Sequence, residues 1–195
     1  MKLIPIYSKP VSVEFDPTTG EFNPCLELQH RRVSDLAAMF SDQPAVQAIL
    51  AGGDRLVYDV RNHPFITHNT DMVLGTTVIY PGKVGTEYHM TKGHFHQRDD
   101  QPELYHCLQG EGFLQMETRA GDYQVAAWHA GVITHIPPAY AHRVVNTGAG
   151  PLVFVACFHM AAGHDYAPVA ARGFKFVIVE RDGQPTALPN PRRSA

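Results

Sequence analysis

From Leu56 to Glu180 the chain is a succession of short segments rich in Val, Ile, Tyr and Phe. LVYDV, LGTTVIY, EYHMT, GHFH, LYHCLQG, GFLQMET, YQVAAW, VITHIP, HRVVN, LVFVACF and FKFVIVE suit a half-buried pleated surface. Pro81-Gly82, Gly110, Ala120-Gly121-Asp122, Gly148-Ala149-Gly150 and Asp182-Gly183 cut them apart with residues that favour turns. Many short strands at close spacing predict an antiparallel sandwich or barrel. Upstream, VSVEFDPTTGEF predicts two more short strands about a turn that contains Pro17 and Gly20. Helix is predicted only in the stretch RRVSDLAAMFSDQPAVQAILAGGD. Ser34 is the expected N-cap of a helix over Asp35–Phe40, and Asp42 that of a second short helix ending at Gly52-Gly53.

A length of 195 residues suffices for one sizeable core, and no solenoid repeat or low-complexity linker divides it. The expected organisation is one domain over 1–195. Strands and short helices fill 1–62, a barrel core 63–160, and further strands and a polar tail 161–195. The formal net charge of −3 exerts no global pull toward nucleic acid or an anionic membrane, so no such partner is expected and an anionic ligand needs a local site. No apolar run approaches the length of a membrane span. The opening MKLIPIYSKP is too short in its apolar run, and is broken by Pro5, for a secretory leader. Cys25, Cys107 and Cys157 cannot all pair and show no C-x-x-C spacing, which predicts free thiols and a cytoplasmic location. Arg192-Arg193 is expected to be a solvated end.

Histidine is the residue in excess: there are twelve, several of them between His89 and His142. It is the commonest metal ligand and a frequent acid or base. His94 and His96 are two apart in a strand-like segment and leave the same face. Glu103 begins the next strand, and His142 follows a turn marked by Pro137 and Pro138. Three imidazoles and a carboxylate from neighbouring strands make a mixed nitrogen and oxygen set that suits first-row divalent metals. Positions left open would admit water or substrate. His89, His106, His129, His135 and His159 are expected to be packed or surface residues; His106 is an odd number of residues from Glu103 and turns to the other face.

GHFHQRDDQPELYHCLQG and GVITHIPPAYAHRVVN resemble the two motifs of the cupin superfamily. Two departures are visible. Six residues separate His96 from Glu103 where three or four are usual, and Ala139 stands where the second motif has glycine. The longer segments TTVIYPGKVGTEYHMTKGHFH, ELYHCLQGEGFLQMET, PPAYAHRVVNTG and AGHDYAPVAARGFKFVIVE resemble the cupin-type glucose-6-phosphate isomerases, best known from archaea. The likeness runs nearly the length of the chain, to Asn190-Pro191-Arg192.

The resemblance implies a mainly β, single-domain cupin (an antiparallel barrel or jelly roll) with short N-terminal helices. It implies metal ligands at His94, His96, Glu103 and His142, and sugar or phosphate contacts at Tyr58, Thr77, Thr91, Gly93, Tyr105, His164 and Tyr166. One divalent metal per subunit is implied, Fe2+ first, with Zn2+, Mn2+ or Ni2+ as substitutes. A sugar-phosphate substrate and a homodimer are implied as well. Aldose–ketose isomerisation needs a base beside the reacting carbons and stabilisation of developing oxygen charge. Glu103 is the first choice of base, with His164 and Tyr166 moving hydroxyl protons. A metal-promoted hydride shift would need no base, and the sequence leaves the two routes open. Thr77, Thr91, Tyr58 and Tyr105 offer hydroxyl donors to a phosphate, and Gly93 a backbone N–H. Lys92 adds charge, with strand alternation able to turn it away from the interior. Two competing classes are an Fe(II) cupin dioxygenase, which three histidines and a glutamate also suit, and a non-catalytic sugar-binding cupin, a class that often loses its metal ligands.

Overall fold

The computed structural model describes residues 5–67 and 71–193. The first four residues of the leader reading and the last two of the tail lie outside them. The fold is mainly β, about 50% strand and 16% helix. Its strands in chain order are β1 Glu14–Asp16, β2 Glu21–Asn23, β3 Glu27–Arg32, β4 Leu56–Phe65, β5 Met72–Ile79, β6 Lys83–Val84, β7 Glu87–Tyr88, β8 Glu103–Gln109, β9 Glu111–Thr118, β10 Tyr123–His129, β11 Ile133–Ile136, β12 Tyr140–Asn146, β13 Leu152–His159, β14 Phe176–Arg181 and β15 Gln184–Pro189. The helices are α1 Val33–Leu36, α2 Gln43–Gly52 and α3 Ala167–Arg172.

The strands form a six-stranded sheet in the order β11-β8-β13-β5-β4-β3, a four-stranded sheet β15-β14-β7-β6, a three-stranded sheet β10-β9-β12 and the hairpin β1-β2. All the ladders between named strands are antiparallel. The sheets do not join into a closed cylinder, so the expected barrel is an open jelly roll. GHFH is not part of a named strand; it is held by the bridges His94↔His142 and Phe95↔Asp165.

The core lies between the sheets. Leu114, Trp128, Ile136, Val144, Leu152 and Phe154 fill it, and the helical stretch seals one side with Leu36, Phe40, Val46 and Ile49. Each such side chain contributes about 1.5–3 kcal/mol by leaving water. Trp128 satisfies its indole N–H on Thr134 Oγ1 at 3.0 Å. The Asp42 cap is found, its side chain accepting the Ala45 N–H at 3.0 Å, with Pro44 preset for the first turn. The Ser34 cap is not. Ser34 lies inside α1, which starts at Val33, and its hydroxyl bonds Asp54 at 2.6 Å. Asp35 takes up the free amide of Arg32 instead, at 2.8 Å. That helix gives way at Ala37–Met39 to a 3₁₀ turn.

The tail also departs from expectation. Arg192 donates to the carbonyls of Ala170 and Ala171 at the end of α3. Arg193 pairs with the buried Glu117 of β9, and Asn190 donates to the Phe174 carbonyl at 2.8 Å. Arg192 anchors α3 and Arg193 clips the chain to β9, so neither waves in solvent.

Candidate metal centre

β8 presents Glu103 and Tyr105 to the interior, β12 presents His142, and the bridged segment between β7 and β8 presents His94 and His96. The donor atoms of His94, His96, Glu103 and His142 all lie within 4.8 Å of one another, and all four residues are buried. His96 Nδ1 pairs with the Gln101 carbonyl at 2.8 Å and His142 Nδ1 with that of Tyr140 at 3.3 Å. A proton held at each Nδ1 leaves each Nε2 as the lone-pair donor facing the cluster. Glu103 Oε2 lies 3.2 Å from His96 Nε2 and 3.0 Å from His142 Nε2. His94 Nε2 and His142 Nε2 are buried without a hydrogen-bond partner. Buried orphan nitrogens are costly unless something takes their lone pairs. A divalent ion fits this donor set and its spacing.

The electrostatics of His94 and Glu103 agree with that use. Burial, reinforced by the neighbouring histidines, drives the His94 pKa well below its ordinary value and keeps the ring neutral. Burial pushes the Glu103 carboxyl up, but the adjacent His142 and His96 rings outweigh it and leave the group below its ordinary value, hence ionised. His96 goes the other way: burial pulls it down, while Glu103 and the Gln101 carbonyl raise it above its ordinary value.

Beside the cluster opens a cleft with about 150 Å³ of free space. The structure brings Tyr58, Thr77, Thr91, Gly93, Tyr105, His164 and Tyr166 to its walls. His164 and Tyr166 get there by the bridge of Phe95 to Asp165, which flanks them on one face. Their rings stack at 5.8 Å and 8°, and His164 meets His94 edge-on at 4.4 Å. The long gap between His96 and Glu103 takes part here. Gln97 donates to the His164 carbonyl at 3.3 Å, and Arg98 N–H to that of Ala162 at 3.1 Å. Tyr105 is backed by Phe154 at 4.8 Å and faces His142 at 5.4 Å.

Burial pushes the phenol of Tyr58 up to about 12, that of Tyr105 well up, and that of Tyr166 up, so all three keep their protons as donors. Burial lowers His164, which stays neutral. Sequence reasoning missed Gln29, Arg31, Asn62, Gly75, Ala156 and Phe158, which line the same cleft. Gly75 faces Ala156 across the β5–β13 ladder and gives the floor a hollow; a Cβ at Gly75 would stand 2.8 Å from Asn62 Oδ1. Lys92 lines the cleft too, its ammonium 6.0 Å from the Tyr166 ring. None of His89, His106, His129, His135 and His159 belongs to the cluster.

An open antiparallel jelly roll with three histidines and a glutamate converging between its sheets defines a cupin with a candidate metal centre. A family model described as Glucose-6-phosphate isomerase (GPI) matches residues 30–190. The glucose-6-phosphate isomerase of Thermococcus litoralis is 37% identical over 186 residues, covering 95% of this chain and 97% of that one. That of Pyrococcus furiosus is 36% identical over 187 residues (96% and 98%), and that of Sinorhizobium medicae 33% over 177 (90% and 83%). The chain belongs to the glucose-6-phosphate isomerase family. Among solved structures, an oxalate oxidase in complex with glycolate overlaps 52% of this chain and 49% of its own, at 18% identity and a TM-score of 0.43.

Proposed function

We propose that this chain interconverts glucose 6-phosphate and fructose 6-phosphate, with one divalent metal held by His94, His96, Glu103 and His142. What carries this, beside membership of the family, is the division of labour within one cleft. The four donors converge at one place, while Arg31, Lys92, Tyr58, Thr77 and Thr91 line the rest of it. Glu103 is the sole carboxylate among the described lining residues. Thr77 pairs with Phe154 and Glu103 with Phe158, four residues further along β13. That offset is about 13 Å of strand. A phosphate seated by the hydroxyls and cations would place the far end of an open-chain sugar at the metal, where remote binding energy becomes rate.

The bound ion would supply Lewis-acid polarisation of the sugar's C1 and C2 oxygens. Glu103 takes the proton from C2 of the aldose and returns it to C1. The hydroxyl proton passes from O2 to O1 through His164 or Tyr166, so the reaction closes with no net oxidation. A hydride shift from C2 to C1 would bypass Glu103 as base. Fe2+ is the first choice of metal, with Zn2+, Mn2+ and Ni2+ compatible with the same donors. Residues 1–195 are read as one cupin unit. A cytoplasmic location is supported by Cys107 and Cys157, which form no disulfide among the described residues. A homodimer is supported by the sheet edges β3 and β11, which carry the exposed Leu28 and Ile133. The dioxygenase and sugar-storage classes are not favoured: polar donors line the cleft, and His94, His96, Glu103 and His142 all converge.

The test is a coupled assay on fructose 6-phosphate with chelated protein reloaded metal by metal. Turnover should vanish on chelation and return with the ion. Full turnover in the metal-free protein sinks the proposal. In D2O the base route exchanges label into the sugar and the hydride route does not.

A further inference from the structure

Thr91, Lys92, Gly93 and His94 all line the cleft, four residues in succession. A regular strand cannot do this, because its side chains alternate between faces. The ladder to β12 shows how it is done. Met90 bridges Val145 and Thr91 N–H donates to the Val144 carbonyl at 2.9 Å; the next pair is His94 with His142. Three residue steps on one strand therefore oppose two on the other, which makes Lys92-Gly93 a β-bulge. Gly93 sits at φ 71°, and a Cβ there would meet Phe174 at 2.6 Å. The bulge removes the Lys92 carbonyl and the Gly93 N–H from the ladder. Among the described residues the Gly93 N–H has no acceptor, so it is free for a ligand. The Lys92 carbonyl is taken by Arg143 Nη2 at 2.9 Å.

Arg143 is unusual. It is 2% exposed and stacks on Phe174 at 4.7 Å. No carboxylate of the described residues comes within ion-pair distance of it. A buried guanidinium without a direct counter-ion is costly and calls for a use. Burial lowers its pKa to about 10, which leaves it charged at neutral pH. Thr91 Oγ1 meanwhile accepts the Val144 N–H at 3.1 Å, leaving its own proton free to donate.

We propose that Arg143 is a positioning residue for anion binding. Its bond to the Lys92 carbonyl fixes the bulge, so that the Thr91 hydroxyl, the Lys92 ammonium and the Gly93 N–H face the cleft together. Arg143 does not touch the substrate; it acts through the backbone of Lys92. The inference rests on the reading of this cleft as a sugar-phosphate site.

The experiment measures orthophosphate binding to metal-loaded protein by calorimetry, and KM and kcat for fructose 6-phosphate, in wild type, Arg143→Met and Arg143→Lys. Arg143→Met should weaken orthophosphate and raise KM by about tenfold or more, with metal content intact and kcat moved much less. Arg143→Lys keeps a donor and should recover most of that loss. Equal orthophosphate affinity in wild type and Arg143→Met overturns the role, as does a folded Arg143→Lys that binds no better than Arg143→Met. If Arg143→Met does not fold, Arg143→Lys decides alone: a loss of about threefold in orthophosphate affinity supports the role, and no loss overturns it. A wild-type protein that ignores orthophosphate points instead to failure of the sugar-phosphate reading.

Discussion

The guanidinium of Arg193 stands 2.5 Å from the carboxylate of Glu117. Glu117 also accepts the Lys175 N–H at 2.8 Å and lies opposite Ala141, the neighbour of His142. Arg193 is thus clipped to the strand beside the one that carries His142 of the histidine–glutamate cluster. Arg193→Ala would strand a buried carboxylate, with Arg172 at 4.0 Å as the remaining cation. Losing one partner of a buried pair costs about 3–5 kcal/mol, and the partial exposure of Arg193 reduces that to about 2 kcal/mol. Urea unfolding at equal metal load measures it; an unchanged midpoint would mean the clip carries no stability.

Ala139 holds φ at 67°, where the cupin motif has glycine. An L side chain in that region costs roughly 1–2 kcal/mol, and glycine gives back about 0.5–1 kcal/mol through its freer unfolded chain. Ala139→Gly should therefore stabilise by about 0.5–1 kcal/mol, read as a rise in melting temperature. Gly93→Ala, with Phe174 in the way, should move it down.

His94→Ala or His142→Ala should lose metal and most activity while the sheets stay folded. The core has its own apolar mass in Leu114, Trp128, Leu152 and Phe154, so the ion adds stability without being required for folding. Elemental analysis and far-ultraviolet circular dichroism check both halves. Full metal content in either variant removes that residue from the ligand set.

Thr91→Ala should weaken fructose 6-phosphate more than unphosphorylated fructose. A hydroxyl donor to a dianion is worth about 1.5–3 kcal/mol. The comparison is of kcat/KM on the two sugars, and equal losses would place Thr91 away from the phosphate.

His89 is buried, with Nδ1 on the Tyr80 carbonyl at 3.0 Å and Nε2 without a partner. Burial lowers its pKa, the Tyr80 carbonyl opposing and Arg55 adding to the shift. Between that lowered value and the unfolded value of about 6.5 the unfolded chain binds a proton that the folded one refuses. Stability is therefore complete above about pH 6.5 and declines as pH falls toward the folded value. His89→Phe should flatten the decline in chelated protein by up to one proton, about 1.4 kcal/mol per pH unit. Urea titrations from about pH 7 to 5 supply the slopes, and parallel curves would contradict it.

The convergence of His94, His96, Glu103 and His142 was legible because these are chemically unusual residues at motif spacing. The strands with apolar alternation were legible too. β3 was hidden because Glu27–Arg32 is almost wholly polar, and only its pairing with β4 makes it a strand. β15 was hidden by Pro185 and Pro189, which the edge of a sheet tolerates. α3 has six residues and no side-chain cap, too little helix to form without Arg192, which bonds its last turn. Alternation left the direction of Lys92 open, because a bulge is a relation between two strands that neither one shows alone. Arg143 in HRVVN reads as an outward strand residue, and its burial depends on α3's flanking Phe174.

The four metal-ligating candidates are distributed with a mechanical result. Glu103 belongs to the six-stranded sheet and His142 to the three-stranded one, and no ladder joins β8 to β12. An ion gripped by both would act as a rivet across the seam. Opening either sheet would then have to release the ion, so the two would breathe as one cooperative unit. Amide hydrogen exchange in β8 and β12 should slow together on loading, making the reaction centre also the clasp that sets how often the molecule comes apart.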